Sequence, residues 1–261
     1  MSTKHKQGEL WGTAAHDWAL YLEITFVPLY KKIISKSNLA PGSHVLDIGC
    51  GSGLFLRMAG TKGAITTGID VTPELLELAR QRNSSATLLN QDMKALPFAD
   101  KSFDIVTGFN SLQYAEDISM VLKEIKRVLK DDGRLAIGVW GNTAECEALT
   151  VLSSIASLLP EPPAGSPGPL ALSEEGKVAR LLSEAGFKLL EKGTAEGHWN
   201  FSSLEEAMKG ILSAGPSAEA IGYAGKEKVQ AQLMKTLEAF NIYDDSYVLE
   251  NVFHYFIAGK A

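Results

Sequence analysis

Residues 45–53 read VLDIGCGSG: an apolar run broken by one carboxylate, Asp47, and closed by three alternating glycines, Gly49, Gly51 and Gly53. The run has the short apolar character of a buried strand, and LFLRMAG after it reads as a helix. Between them the glycines permit backbone conformations closed to other residues and remove the Cβ atoms that would hold a ligand away. In an open α/β sheet, ligands bind beyond the carboxyl ends of the strands, and the first strand-to-helix turn is the usual floor of the site. The stretch therefore predicts both a fold class and the position of a site within it.

Reading outward, the alternation continues. AITTGID (64–70) is a second apolar run ending in an acid, and TPELLELARQR carries Thr72 as N-cap, Pro73 at the first helical position and leucines at helical spacing. ATLLNQD and SFDIVTGFN read as strands, DISMVLKEIKRVLK as an amphipathic helix, and GRLAIGVWG as the next strand. Strand and helix in alternation predict a Rossmann-like, doubly wound, mostly parallel seven-stranded sheet with helices on both faces. The Pro- and Gly-rich stretch 158–171 reads as a surface loop. Beyond it SEEGKVARLLSEAG predicts a helix with Ser173 as N-cap and Gly186 as C-cap, and FKLLEKG a strand. Residues 199–240 read as two or three helices without obvious strands, and YVLENVFHYFIAGK as one last β-prone run. The expected organisation is an N-terminal helical lid (1–40), a core (41–195), an inserted C-terminal helical cap (196–245) and a last core strand (246–261).

Composition narrows the class. Of 261 residues 45% are hydrophobic, enough for a sizeable core, and the net charge of −6 argues against a nucleic-acid-binding surface. KEIKRVLK reads as the solvated face of a helix. With two cysteines, Cys50 and Cys146, neither a disulfide framework nor a cysteine metal site is expected. MSTKHKQGELWG lacks the apolar core of a signal peptide and no apolar run is long enough to cross a bilayer, so the sequence predicts a cytoplasmic protein.

Three strand ends carry acids. Asp47 stands at the mouth of the glycine turn, where a carboxylate repels a pyrophosphate but attracts an ammonium group. Asp70 ends the second strand, where an acid accepts the hydroxyls of a ribose. Asp92 follows the third, placed to accept from an exocyclic amine while Met93 and Leu96 offer apolar contact to a base. A dinucleotide turn prefers G-x-G-x-x-G; here the third glycine comes one place early and Leu54 fills its position. The pattern describes a site for a cationic adenosine derivative, and S-adenosylmethionine fits that description.

On these residues the chain resembles class I S-adenosylmethionine-dependent methyltransferases, especially the small-molecule group that includes the ubiquinone/menaquinone C-methyltransferases. The matching stretches are VLDIGCGSG, GIDVTPELLELAR, NQDMKALPFADKSFDIV and VLKEIKRVLKDDGRLAIGVW, together covering residues 41–140. The resemblance implies that Asp47 and the turn from Gly49 through Cys50, Gly51 and Gly53 line the methionine portion. It implies that Asp70 and Val71 hold the ribose and adenine edge, and that Gln91, Asp92 and Met93 contact the adenine. FNSLQYAED falls where the family places residues below the sulfonium, so Asn110 and Ser111 are expected cofactor contacts, with Gln113 and Tyr114 on the substrate side.

Cys50 reads as a small packed residue rather than a nucleophile, and Trp11, Trp18 and Tyr21 as either a packed aromatic face or a lid. Methyl transfer from a sulfonium needs alignment more than a catalytic group, but an acceptor that must lose a proton needs a base, and His16, Tyr114 and His198 are the candidates. The motif typical of methyltransferases acting on planar amino groups is absent, GFNSLQY standing in its place, so the expected acceptor is a small molecule. Two other readings stay open: a non-catalytic sensor of S-adenosylmethionine or S-adenosylhomocysteine, and a nicotinamide-dependent oxidoreductase.

Overall fold

The structure is a computed structural model that describes residues 3–162 and 166–261. Part of the expected Pro/Gly loop (163–165) and the first two residues of the N-terminal segment lie outside the described residues. The chain opens with α1 (Thr3–Gly12) and α2 (Ala15–Asp17), a π-helical turn over Trp18–Leu22, a 3-10 turn over Glu23–Phe26, and α3 (Val27–Lys36). Then β1 (His44–Ile48), α4 (Leu54–Gly60), β2 (Ile65–Asp70), α5 (Pro73–Arg82), β3 (Thr87–Asn90) and β4 (Phe103–Phe109) follow in turn. After these come α6 (Ile118–Val128), β5 (Leu129–Trp140), α7 (Glu147–Ala156), α8 (Lys177–Glu184) and β6 (Phe187–Glu196). The chain closes with β7 (Trp199–Phe201), α9 (Leu204–Leu212), α10 (Gly215–Ala224), α11 (Lys226–Leu237), β8 (Asn241–Tyr243), β9 (Ser246–Leu249) and β10 (Val252–Lys260).

Seven strands form one sheet in the order β3-β2-β1-β4-β5-β10-β6. The pairs β1–β2, β2–β3, β1–β4 and β4–β5 are parallel, and β10 runs antiparallel between β5 and β6. This is the expected Rossmann-like, doubly wound sheet, and the strand order reverses between β1 and β4. Because side chains alternate along a strand, each strand feeds two apolar layers. Val45, Ile105, Ala136 and Phe253 join one cluster, with Phe55 and Tyr30 from the helices; Leu46, Ile48, Val106 and Leu135 join the other, with Leu122 and Ile125 from α6. Asp47 shares the Val45 face by the same period of two, which puts a carboxylate into an apolar layer.

Thr72 stands at the expected N-cap position of α5, though without a side-chain capping bond, and Pro73 opens the helix. Asp117, which the sequence reading did not single out, caps α6, its Oδ1 accepting from the N–H groups of Ser119 (2.9 Å) and Met120 (3.1 Å). Elsewhere tertiary contacts overrode local signals. Ser173 is not the N-cap of α8: that position is Gly176, and the Ser173 hydroxyl donates to the Trp140 carbonyl at 3.0 Å. The last β-prone run is two strands, since β9 leaves the main sheet to pair with β7 and β8 in a three-stranded sheet, and only β10 joins the core. The segment 199–240, read as helical throughout, begins with β7. Arg127, in the stretch read as a solvated face, is instead a pin: its guanidinium donates to Glu124, to Asp100 and to the carbonyls of Leu96 and Phe98 at 2.7–2.9 Å. It thereby holds the loop that follows β3 against α6.

Candidate functional site

One cavity opens above the carboxyl ends of β1, β2, β4 and β5, under a roof from the N-terminal segment and the region around β7 and α10. Its floor is the glycine turn. Gly49, Gly51 and Gly53 all adopt left-handed φ (+72°, +53° and +79°), and the N–H groups of Gly49 and Cys50 donate to the Ile69 carbonyl at the end of β2. The turn is thus tied to the strand that carries the second acid. At Gly51 a Cβ would stand 2.8 Å from the Trp18 ring, so the position is closed to other residues by conformation and by a roof side chain together. Trp18, which also lines the cavity, thus packs against the turn at this point.

Asp70, 8% exposed, accepts from Gly51 N–H through Oδ2 and from Thr72 N–H through Oδ1, both at 2.9 Å. The Val71 N–H and the Thr72 hydroxyl also act on this carboxylate, which lines the cavity wall. Val71 continues the wall. Helix α1 reaches it closely, because at Gly8 a Cβ would lie 2.7 Å from the Val71 carbonyl oxygen. Gln91, Asp92 and Met93 line the neighbouring wall, with Asp92 Oδ1 accepting from Lys94 N–H at 2.9 Å. Ser111, also on the wall, donates to the Ile48 carbonyl at 2.6 Å and so laces β4 to β1. Asn110, with φ +45°, accepts through Oδ1 from Trp140 N–H (3.0 Å) and Gln113 Nε2 (3.2 Å), which leaves its buried Nδ2 without a partner among the described residues.

Ten of the twelve expected cofactor residues therefore meet in one cavity, and two do not. Asp47 lies beneath the floor, 2% exposed, where Thr107 Oγ1 donates to its Oδ1 at 2.7 Å. Burial, with Asp70 and Glu23 close by, pushes its carboxyl up to about 7. Gly53 faces the other way, toward Asn83 and Ala79 of α5. Of the three proton-transfer candidates only Tyr114 lines the cavity; burial pushes its hydroxyl up, with Glu219 adding to the shift, which makes it a poor base near neutral pH. His16 and His198 stand away from the cavity. His16 is exposed on α2; His198 precedes β7, its Nδ1 accepting from Asn251 N–H at 3.2 Å, and neither reaches the cavity. Cys50 lines the floor, and burial raises its thiol, which keeps it protonated and unreactive.

Sequence reading missed Glu23. This carboxylate, 1% exposed, reaches the N-terminus of α4: it accepts from the Ser52 hydroxyl, from Arg82 and, at 3.4 Å, from Leu54 N–H. The Arg82 guanidinium also donates to Ser52 Oγ at 2.7 Å. The helix N-terminus that receives the pyrophosphate in a dinucleotide site already holds an anion of the chain's own. The available signal was one acid inside the apolar stretch WALYLEITF, since such a group must be paired when buried.

The far end of the cavity lies toward β5 and β10. Trp140 rests on Phe253 (4.7 Å between ring centroids) and meets Trp199 edge to face (6.0 Å, 77°), while Phe26 stacks on Phe253 at 4.8 Å. Trp11 meets Trp18 and Tyr114 edge-on at 6.0 and 5.9 Å, and all three rings line the cavity.

A cradle of glycines and acids at the reversal of a doubly wound sheet is shared by several cofactor-binding families, and comparison with known proteins separates them. Residues 46–137 match the family model described as a methyltransferase domain. The matched region holds the glycine turn, all three acids and the pinning Arg127, and it ends inside β5. O-methyltransferase resE of Aspergillus sclerotiorum is 31% identical over 177 residues, covering 65% of this chain and 64% of that protein. The 27-O-demethylrifamycin SV methyltransferase of Amycolatopsis mediterranei is 33% identical over 142 residues, 50% of this chain and 52% of that one. The chain thus spans 64% of the length of the first relative and 52% of the second. In fold it is similar to the crystal structure of an S-adenosylmethionine-dependent methyltransferase from Geobacter sulfurreducens in complex with S-adenosylhomocysteine. That likeness has a TM-score of 0.56 and 17% identity, and covers 92% of each chain.

Proposed function

We propose that the protein uses S-adenosylmethionine to methylate a small organic acceptor. The observation that carries this reading is the division of labour at the glycine turn. Asp70 stands on the cavity wall at the end of β2, while Glu23 fills the anion position at the start of α4. A nucleoside with hydroxyls and a positive charge suits such a site; a pyrophosphate does not. S-adenosylmethionine, when bound, supplies a methyl group already activated by a sulfonium. The chain's residues bind and orient: Asp70 takes the ribose hydroxyls, Val71 and Met93 flank the adenine, and Gln91 and Asp92 meet its polar edge. The backbone from Gly49 to Gly51 carries the methionine portion, with Asn110 and Ser111 on the wall beside it. Asp47 and Gly53 act from beneath, as supports of the turn. No histidine lines the cavity among the described residues, and the protein's contribution in this reading is alignment and exclusion of water.

Two further features support a small acceptor. The cavity is roofed by the N-terminal segment (Trp11, Trp18, Phe26) and by Trp199, Ala214 and Pro216, which suits a lid and a cap enclosing a compact ligand. The relatives from Aspergillus and Amycolatopsis are named as methyltransferases, the second for a rifamycin. The test is formation of S-adenosylhomocysteine from S-adenosylmethionine across a panel of small aromatic and aliphatic alcohols, phenols and amines. Turnover above the acceptor-free blank with any member supports the reading. Product formation only with a protein or nucleic-acid acceptor refutes the acceptor class.

A further inference from the structure

Almost every backbone donor of the glycine turn is already taken. The N–H groups of Gly49 and Cys50 go to the Ile69 carbonyl, that of Gly51 to Asp70, that of Gly53 to the Cys50 carbonyl and that of Leu54 to Glu23. The remaining one belongs to Ser52, which is fully buried. The methionine portion of S-adenosylmethionine carries a carboxylate beside its ammonium group, and the strong partners of a carboxylate are N–H donors and cations. Asp47, Asp70 and Glu23 stand around the turn, and Arg82, paired with Glu23, does not line the cavity. Two lysines line it among the described residues, and both stand elsewhere. Lys94 follows β3 and pairs with Glu116 at 2.9 Å, and Lys4 lies on α1 one turn before Gly8, which packs at the Val71 carbonyl. A neutral side-chain donor is left to serve the carboxylate. Tyr30, on α3, is 6% exposed and lines the cavity, its ring fixed against Phe55 (5.5 Å between centroids) and Phe109 (4.8 Å). Its hydroxyl makes no hydrogen bond to a described residue, yet it is not sealed off as the Trp199 Nε1 and Asn110 Nδ2 are. Burial pushes this hydroxyl up, with Glu23, Asp47 and Cys50 adding to the shift and Arg82 opposing it; the oxygen thus lies near the turn and keeps its proton at neutral pH. Two other donors in the lining point away. Trp18 meets the turn through Cη2 and Cζ3, the carbon edge far from its Nε1, and the Tyr114 hydroxyl, raised by burial and then by Glu219, lies toward α10.

We infer that Tyr30 is a cofactor-binding residue: its hydroxyl donates to the carboxylate of the methionine portion of S-adenosylmethionine, at the edge of the glycine turn. The inference rests on the methyltransferase reading and deepens it. An uncharged donor suits the position. A cation here would weaken the field of Asp47, Asp70 and Glu23 that favours the ammonium and sulfonium groups, whereas a hydroxyl pairs the carboxylate and leaves that field in place. The N-terminal segment thereby becomes part of the cofactor site, since Tyr30 stands on α3 and Glu23 fastens the same segment to the start of α4. A site that pairs one ligand group also discriminates: an analogue without the carboxylate leaves the hydroxyl unpaired.

The test is calorimetric titration of the full chain with S-adenosylhomocysteine and with its decarboxylated analogue, which keeps the amine. Wild type should bind S-adenosylhomocysteine about tenfold more tightly than the analogue, the contribution of one hydrogen bond to a charged group. Tyr30→Phe keeps the ring against Phe55 and Phe109 and removes the hydroxyl. It should weaken S-adenosylhomocysteine about tenfold and leave the analogue within about twofold, so that the discrimination disappears. Lys4→Met should keep the wild-type ratio. Three results overturn the proposal: equal binding of the two ligands by wild type, equal weakening of both by Tyr30→Phe, or loss of the ratio in Lys4→Met with the ratio intact in Tyr30→Phe, which would give the carboxylate to α1. Each of these leaves the methyl-donor reading standing, because S-adenosylhomocysteine still binds. Failure of folded wild type to bind either ligand overturns that reading and the assignment of Tyr30 with it. The wild-type ratio tests the proposal even if Tyr30→Phe does not fold.

Discussion

Replacing Asp47 by Asn should make the protein more stable at neutral and alkaline pH. The carboxylate lies in the apolar layer formed by Val45, Phe55 and Tyr30, with a single side-chain donor, Thr107, and with Asp70 and Glu23 near enough to raise it further. Its carboxyl rises from 3.8 to about 7 in the folded chain. At ~1.4 kcal/mol for each unit of pKa, ionisation therefore costs the folded state about 4 kcal/mol once the pH is well above 7. The direction follows from proton binding. Between pH 4 and 7 the folded state holds the proton that the unfolded state has released, so stability is full below 3.8 and falls as pH climbs through 7. Asn imitates the protonated group and keeps an oxygen for Thr107, so Asp47→Asn should match wild type near pH 4 and exceed it increasingly up to pH 8. Asp70 and Glu23, both raised by burial, keep a residual slope of the same sign in the variant, with Arg82 opposing it at Glu23. Urea unfolding followed by tryptophan fluorescence at intervals from pH 4 to pH 8 measures the difference directly. Parallel pH profiles, or a variant less stable than wild type at pH 8, would refute the placement of this carboxylate in the apolar layer.

Asp70→Asn should weaken S-adenosylhomocysteine binding by about 1–3 kcal/mol in calorimetry, through loss of the charged acceptor; Asp70→Ala should also lower the unfolding midpoint, because Gly51 and Thr72 N–H lose their partner. Glu23→Ala should destabilise the protein by about 3 kcal/mol in urea unfolding, since it leaves the partly buried Arg82 charge without its carboxylate. Adding Arg82→Leu should recover part of that loss, whereas strictly additive losses would mean the pair is not coupled. Gly51→Ala forces a side chain into left-handed backbone and onto the Trp18 ring, and should cost about 1–3 kcal/mol with a changed tryptophan emission; an unchanged spectrum and midpoint would place Trp18 elsewhere.

The parts of the molecule legible in the sequence are those set by local physics. Alternating apolar runs and helix signals give the strands and helices of the core in order, because burial on both faces demands apolar strands and because Pro73 acts within a turn of where it stands. Three glycines in five residues likewise mark a backbone that must turn left-handed. The errors fall where partners come from far along the chain. Ser173 looks like an N-cap, but its hydroxyl is taken by Trp140. Glu23 finds Arg82, 59 residues away, and through it the N-terminal segment is fastened to the glycine turn. The position of Asp47 was within reach: the period of two that places Leu46 and Ile48 together places Asp47 with Val45, under the floor and not at its mouth. Tyr30 offered no local signal, since its freedom as a donor depends on what the fold leaves around it.

The account rests on a cationic adenosine derivative occupying this cavity, and calorimetric titration of the protein with S-adenosylmethionine and S-adenosylhomocysteine, with NADH as the control ligand, tests that most directly. Micromolar binding of the first two, none of NADH, and loss of the signal in Asp70→Ala is the predicted result. Tight binding of NADH by folded protein, with silence toward the other two, would contradict the account.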